Sequence, residues 1–305
     1  MRKSTQRTAL ACVATGTLGQ AAGSVILGHG VEPGGAVANT LIAFVAAAVI
    51  SVAALGPRGA RRLAALLTSV TPARRWSLLL LAATSAVFGG FYLAITMIDA
   101  VAVSSLEAGI GPFLALLLFP VRGGSLRRAT APSIVLLLSV VVVLLVLGRA
   151  GEQPSSSATA IGLAVTVVVG VAGVVIVLAS QRLRAHGLTA TDINVVRFVG
   201  SSVLFALIAG PVLLVGGPPV GVRPIVAVLL IALPFLVLQI GIVHGDPLRN
   251  ELVMSSLPAL VYVGSSLRES TWSLALGGVM LAVLAIATIG ALVDASHRTT
   301  PSPET

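Results

Sequence analysis

Apolar runs long enough to cross a bilayer recur along almost the whole chain. A bilayer core takes about 20 apolar residues per helix, and windows of that size fall at about 8–28, 36–55, 76–96, 100–120, 132–148, 158–180, 190–214, 222–243, 248–267 and 271–293. The pattern predicts an all-α polytopic membrane protein with ten transmembrane helices and no soluble domain between them. The start, MRKSTQRTALACVATG, is basic in the manner of a signal peptide. Its apolar run continues through Gly28 with no clear cleavage site, so it reads as the first span.

Within these runs the polar residues fall at helical spacing. In the fourth span Ser104, Glu107, Gly111 and Ala115 share one face, with Leu106, Ile110, Phe113 and Leu117 opposite as a lipid-like face. The ninth span carries Glu251, Ser255, Pro258 and Tyr262 on one stripe. The third offers Ser85, Gly89, Tyr92 and Thr96, and the first Thr17, Gln20 and Ser24. Polar groups in lipid must find partners or water, so these stripes are expected to face one another or an aqueous cavity. Pro112 and Pro258, the first beside Gly111, each leave a carbonyl without its usual donor one turn earlier. They are expected to loosen the fourth and ninth helices at matched depth, as helix-break or gating positions.

Composition and charge sharpen this picture. Only 10% of the 305 residues are charged and the mean hydropathy is +1.06, whereas soluble domains carry about a quarter charged residues. The net charge of +9 is topological. With the N-terminus inside, Arg2, Lys3, Arg7, Arg58, Arg61, Arg62, Arg74, Arg75, Arg122, Arg127, Arg128, Arg182, Arg184, Arg249 and Arg298 fall on the inner side, and only Arg149, Arg223 and Arg268 outside. This is the positive-inside pattern. It places both termini in the cytoplasm of a plasma-membrane protein and argues against a nucleic-acid partner. The single cysteine, Cys12, excludes an internal disulfide. Abundant Ala, Val, Leu and Arg with little Lys suggests a GC-rich bacterial genome.

The midpoint falls in GRAGEQPSSSA, a polar stretch of linker composition. The expected organisation is a first five-helix repeat over 1–150, a linker loop over 151–157, a second repeat over 158–293 and a disordered cytoplasmic tail over 294–305. An odd number of spans per half requires the two repeats to sit inverted in the membrane, as in secondary transporters. Laying Pro112 over Pro258 sets DAVAVSSLEAGIGPFLALLL against GDPLRNELVMSSLPALVYVG. Each stretch then has a carboxylate ahead of its proline and a Ser-Ser pair.

The helices SSLEAGIGPFLALLL and SSLPALVYVGSSL, the Arg197-Phe198 pair in DINVVRFVGSSVLFAL, the run VFGGFYLAITMIDAVAVSS and the late pattern ALGGVMLAVLAIATIG together resemble the drug/metabolite transporter superfamily, of the EamA type. The resemblance covers about residues 8–293. It departs where the family commonly has Glu-Pro in the fourth helix of each repeat: here Gly111 and Leu257 precede the prolines. The first-repeat counterpart of Arg197 is Asn39. The resemblance implies two inverted five-helix repeats around a central cavity, and movement of small metabolites by alternating access, with export the family tendency.

The candidate cavity residues are Glu107, Arg197, Glu251, Gln20, Tyr92, Ser104 and Tyr262. Glu107 is placed to take up and release a proton or to contact a solute; the alternative is a bond to Ser104 or a neighbouring backbone. Arg197, with Asn194 and Ser201 on its face, either snorkels to the inner headgroups, pairs with Asp192 or a helix end, or contacts an anionic solute. Glu251, near Arg249 and Asp246, either meets a solute or caps the ninth helix. Gln20 and Tyr92 either orient a ligand or join helices. His29 and His244 have no metal-ligand partner at a sensible spacing, and no metal or other cofactor is expected.

The expected partners are a small-molecule substrate, the lipid bilayer and protons, and a homodimer is compatible with the sequence. Primary transport is disfavoured by the lack of a GxxxxGK[ST] loop. An enzyme is not expected: HExxH is absent, the four aspartates are dispersed, and no histidine lies deep in a span. The remaining alternative to a transporter is a non-transporting membrane subunit or a lipid-handling protein.

Overall fold

Among the described residues, helix covers most of each stretch expected to be an apolar span. The computed structural model describes residues 2–28, 33–118, 125–149, 156–216 and 222–297, and among them holds no strand. The helices are α1 (Arg2–Gly28), α2 (Pro33–Ser69), α3 (Thr71–Ala94), α4 (Ala100–Leu118), α5 (Ser125–Arg149), α6 (Ser156–Ala185), α7 (Ala190–Gly216), α8 (Arg223–Ala227), α9 (Leu233–His244), α10 (Pro247–Met254), α11 (Leu257–Glu269) and α12 (Leu274–His297). A π-turn at Val228–Ala232 joins α8 to α9 into one run. Seven described segments, that run among them, are long and apolar enough to cross a membrane. His29, most of the 151–157 loop and the tail from 298 onward lie outside the described residues, whereas 294–297 continue α12.

Two local features explain where the apolar runs end or bend. Gly56 (φ 67°, ψ 174°) breaks α2, followed at once by Pro57. Beyond the break a short helical arm bearing Arg58, Arg61 and Arg62 continues to Ser69. The sequence reading ended its second span at 55, one residue before this kink. Pro234 cannot donate to the carbonyl of Leu230, and the ladder widens there into the π-turn. Gly23 of α1 faces that carbonyl so closely that a Cβ would lie 3.1 Å from it.

The helices pack in recurring pairs. α3 lies along α6, α2 along α7, α1 along α9, and α4 between α5, α6, α10 and α11. α5 meets α12, and α12 also meets α10 and α11. Aromatic residues are few, yet Phe44, Phe88, Phe198, Phe205 and Phe235 converge in the middle of the bundle. The Phe88–Phe235 ring centroids are 4.2 Å apart, and Phe44 contacts Phe88, Phe198 and Phe205 at 5.1, 5.8 and 5.1 Å. Edge-to-face pairs of this kind add about 0.5–1.5 kcal/mol each beyond burial.

Candidate functional site

α4 starts at Asp99, whose carboxylate accepts from the backbone N–H of Val101 at 2.7 Å and of Ala102 at 3.3 Å, satisfying two donors that an uncapped helix leaves free. From there α4 runs unbroken through Pro112 to Leu118. This corrects the expectation that Pro112 breaks its helix. The missing donor is replaced from outside: Ser255 Oγ donates to the carbonyl of Ala108 at 2.9 Å, and Ala108 is the acceptor four residues before Pro112. The ninth span does break. α10 ends at Met254, and Pro258 opens α11 within its first two positions.

This join sets the two acidic side chains together. Glu251, on α10 one turn before Ser255, lays its Oε2 against the bare backbone of Gly111. Gly111 is in turn one helical turn beyond Glu107. The two carboxylates are within electrostatic reach of each other. Gln20 of α1 donates from Nε2 to Glu107 Oε2 across a long 3.5 Å. Tyr92 of α3 also reaches Glu107 electrostatically, and its hydroxyl lies 3.3 Å from where a Cβ on Gly23 would stand. Glu251 and Tyr92 are 3% and 4% exposed, while Glu107 keeps partial exposure. Glu251 Oε1 and the Tyr92 hydroxyl have no hydrogen-bond partner. Among the described residues no basic side chain pairs with either carboxylate.

Arg197 forms a separate centre. It is 2% exposed, so it does not snorkel. Its Nε donates to Thr84 Oγ1 at 3.0 Å and its Nη1 to Gln239 Oε1 at 2.7 Å, and Gln239 passes a 2.9 Å bond on to Ser180. The guanidinium carbon lies 5.2, 5.4 and 6.0 Å from the Phe198, Phe88 and Phe235 ring centres, within cation–π range. Asp192 pairs instead with Arg62 of the α2 arm and accepts from Thr189 N and Oγ1 at 2.8 and 2.7 Å. Arg197 thus ties α3, α6, α7 and α9. Thr84, Phe88 and Tyr92 share one face of α3 at four-residue spacing, which puts this centre about 12 Å along the helix from Tyr92.

Other candidates lie elsewhere. Ser104 is fully buried and bonds back to Ala100 and Val101 carbonyls, not to Glu107. Tyr262 bonds Ser273, donating to its carbonyl at 2.8 Å and accepting from its N–H at 3.0 Å, so it fastens α11 to the turn before α12. Asp246, not Glu251, caps α10, accepting from Arg249 N at 3.2 Å. Ser85 meets Ser201 of α7 at 3.2 Å. The lipid-like face expected on α4 is corrected in part: Leu117 is 67% exposed, but Leu106 is buried and Ile110 packs on Gly170 of α6. α4 is enclosed on several sides, which one helix's periodicity does not reveal.

The sequence reading missed Thr84, Ser180 and Gln239. The lone glutamine in LPFLVLQIGIVH is the signal that would have found the last of these. Two hollows open at one end of the bundle. One of about 450 Å³ is lined by Gln6, Gln181, Arg184, His244 and Asp246 among others. The other, about 360 Å³, lies beside Arg58, Arg62, Thr189 and Thr191. Neither is lined by Glu107, Glu251 or Arg197. Among the described residues no three His, Cys, Asp or Glu side chains gather as a metal site.

No family profile matches the chain, and no curated protein matches it in sequence. Nine solved chains match its structure. One, described only as the crystal structure of a protein, superposes over 97% of this chain and 100% of its own, with a TM-score of 0.65 at 18% sequence identity. At that identity the likeness shows a shared fold.

Proposed function

We propose that the chain is a secondary transporter that moves a small organic solute across a bacterial plasma membrane by alternating access, with two inverted five-helix halves of the EamA type and export as its direction. The observation that carries this reading is the meeting of Glu107, which is partly exposed, and the buried Glu251, carboxylates with no basic partner among the described residues, at the join between the fourth helix of one half and its counterpart in the other. A membrane scaffold has no use for such a pair, since charge in lipid is costly.

The helix packing supports the inverted halves. Exchange α1 with α6, α2 with α7, α3 with the α8–α9 run, α4 with α10–α11, and α5 with α12. The α3–α6 contact then becomes the α9–α1 contact, and both are present. The α2–α7, α5–α12 and α4–α10/α11 contacts map onto themselves. The α4–α5 contact maps onto that of α10 and α11 with α12, and α4–α6 onto α11–α1. An approximate two-fold relation between halves would account for this pattern. Transporters typically bind solute where discontinuous helices meet between inverted repeats, and α10–α11 is one such interrupted helix.

The test is reconstitution in liposomes with a solute first identified by its stabilisation of the purified protein. Solute movement through the wild type, lost in the Glu107→Gln variant, is the expected result. Equal movement through protein-free and protein-bearing vesicles would contradict it.

A further inference from the structure

The arm that follows the Gly56 break carries charge that the chain itself does not answer. Arg58, Arg61, Arg62, Arg74 and Arg75 are all exposed, and residues 33–98 contain no acidic side chain. Arg62 finds a carboxylate, that of Asp192 on α7. The side chains of the other four have no partner among the described residues. The arm's other face is apolar: Leu63 is buried, and Leu66 and Leu67 pack against the core. The arm is thus seated on the bundle with its arginines turned outward. Between the kink and the start of α7 lies the hollow of about 360 Å³. Its walls are of two kinds, Ala54 and Leu55 from the last turn of the span, and Arg58, Arg62, Thr189 and Thr191 beyond it. No acidic side chain lines it. Asp192, fully buried, commits its Oδ2 to Arg62 and to both Thr189 donors. On the same helix Val45, Val49 and Val52, spaced i, i+4 and i+7, are 46%, 63% and 46% exposed, an apolar strip that leads to the kink.

We propose that this hollow holds the phosphate of an anionic phospholipid, in the leaflet that the α2 kink reaches, with an acyl chain laid along the strip of Val45, Val49 and Val52. On the arginine distribution that leaflet is the inner one. The inference stands apart from the transporter reading and applies equally to a membrane subunit. Arginine's planar fork pairs bidentately with phosphate oxygens. Arg58 has its whole fork free, and Arg62 keeps the nitrogens it does not give to Asp192. Two arginines without an acid select an anionic headgroup over a zwitterionic one, whose own ammonium finds no carboxylate in the hollow. The apolar wall selects a lipid over a free phosphate: cationic and apolar surface meet within one hollow, as headgroup and acyl chain meet in one lipid. Basic pockets at the ends of membrane helices bind anionic headgroups by this chemistry. A lipid so held adds a second tie between the arm and α7, beside the Arg62–Asp192 pair.

The experiment uses the full chain, stripped of lipid, in dodecyl maltoside. Dioleoylphosphatidylglycerol is the anionic probe and dioleoylphosphatidylcholine the zwitterionic one with the same chains. Glycerol phosphate is the headgroup without chains. Native mass spectrometry reads lipid bound to the intact protein. The expected result is tighter binding of phosphatidylglycerol than of phosphatidylcholine, and a loss of about fivefold in phosphatidylglycerol affinity in Arg58→Gln, the usual contribution of one arginine near a headgroup. Arg7→Gln removes the same charge from an exposed position on α1 outside the hollow, and is expected to leave the affinity unchanged. Thr191→Val, on the opposite wall, is the second variant and is expected to weaken phosphatidylglycerol alone. Equal binding of the two lipids, equal losses in Arg58→Gln and Arg7→Gln, or unchanged affinity in folded Arg58→Gln or Thr191→Val would overturn the inference. Displacement of phosphatidylglycerol by glycerol phosphate would overturn it too, by making the hollow a site for soluble phosphates.

Discussion

Ser255 donates its hydroxyl to the carbonyl of Ala108 at 2.9 Å, the acceptor that Pro112 leaves without an N–H four residues on. One helix's defect is thereby the other's docking point. The same contact fixes α10 against α4 in the register that sets Glu251 on Gly111.

Replacing Ser255 by alanine strands a buried carbonyl, at a cost of about 1–3 kcal/mol. Pro112→Ala returns an N–H to α4 and supplies the missing bond from within the helix. The Ser255→Ala/Pro112→Ala pair is therefore expected to be less destabilised than Ser255→Ala alone. Melting of the four proteins in detergent checks this, and strict additivity would contradict it.

A Cβ on Gly111 would meet the Glu251 carboxylate and no backbone atom, so the end of that side chain would have to swing aside. Gly111→Ala is expected to cost about 1 kcal/mol, the low end of the overpacking range, and to move Glu251 Oε2 off α4. Trimming the obstacle with Glu251→Ala relieves the clash, so the double variant should show a coupling of about 0.5–3 kcal/mol between these contacting residues. Thermal unfolding of the cycle reads it directly.

Arg197 holds Thr84 and Gln239 with separate nitrogens of one rigid fork. A lysine has no such fork, so Arg197→Lys and Arg197→Gln are both expected to destabilise the empty protein, the latter by about 1–3 kcal/mol through leaving Thr84 and Gln239 without their buried donor. A lowered melting temperature without any ligand is the expected reading. Unchanged stability with lost solute binding would make Arg197 a solute contact instead.

Gly56 adopts φ 67° and ψ 174°, a region open almost only to glycine. Gly56→Ala is expected to cost about 1–3 kcal/mol although no atom lies within 4 Å of its would-be Cβ. Gly173, in a regular helix and equally uncrowded, is the control. Gly173→Ala should be tolerated, and equal losses at both sites would refute a backbone origin.

The helices were legible because lipid imposes the simplest of patterns: apolar runs of fixed length divided by charge. The acidic cluster was partly legible for a similar reason. Glu107, Gln20 and Tyr92 are polar intrusions at helical spacing, and their stripes do converge. What periodicity of one helix does not contain is which helix lies opposite. For Arg197 the sequence therefore offers the inner headgroups, Asp192, a helix end or an anionic solute, whereas its partners lie on α3 and α9, and Asp192 turns to Arg62. Tyr262 shared a stripe with Glu251, yet the break at Ser255 and Ser256 and the turn before α12 gave its hydroxyl a nearer partner. Pro112 read as a break because the sequence does not show that another helix replaces its missing donor.

The most direct measurement is a thermal-stability screen of the purified wild type against a chemically diverse metabolite panel, repeated on Glu107→Gln and Glu251→Gln. A ligand bound only to the folded state adds about 2.7 kcal/mol at a hundredfold excess over its Kd. The account predicts at least one solute that stabilises the wild type and neither folded variant. Solutes that stabilise all three proteins equally would place the binding site away from the paired carboxylates and contradict it.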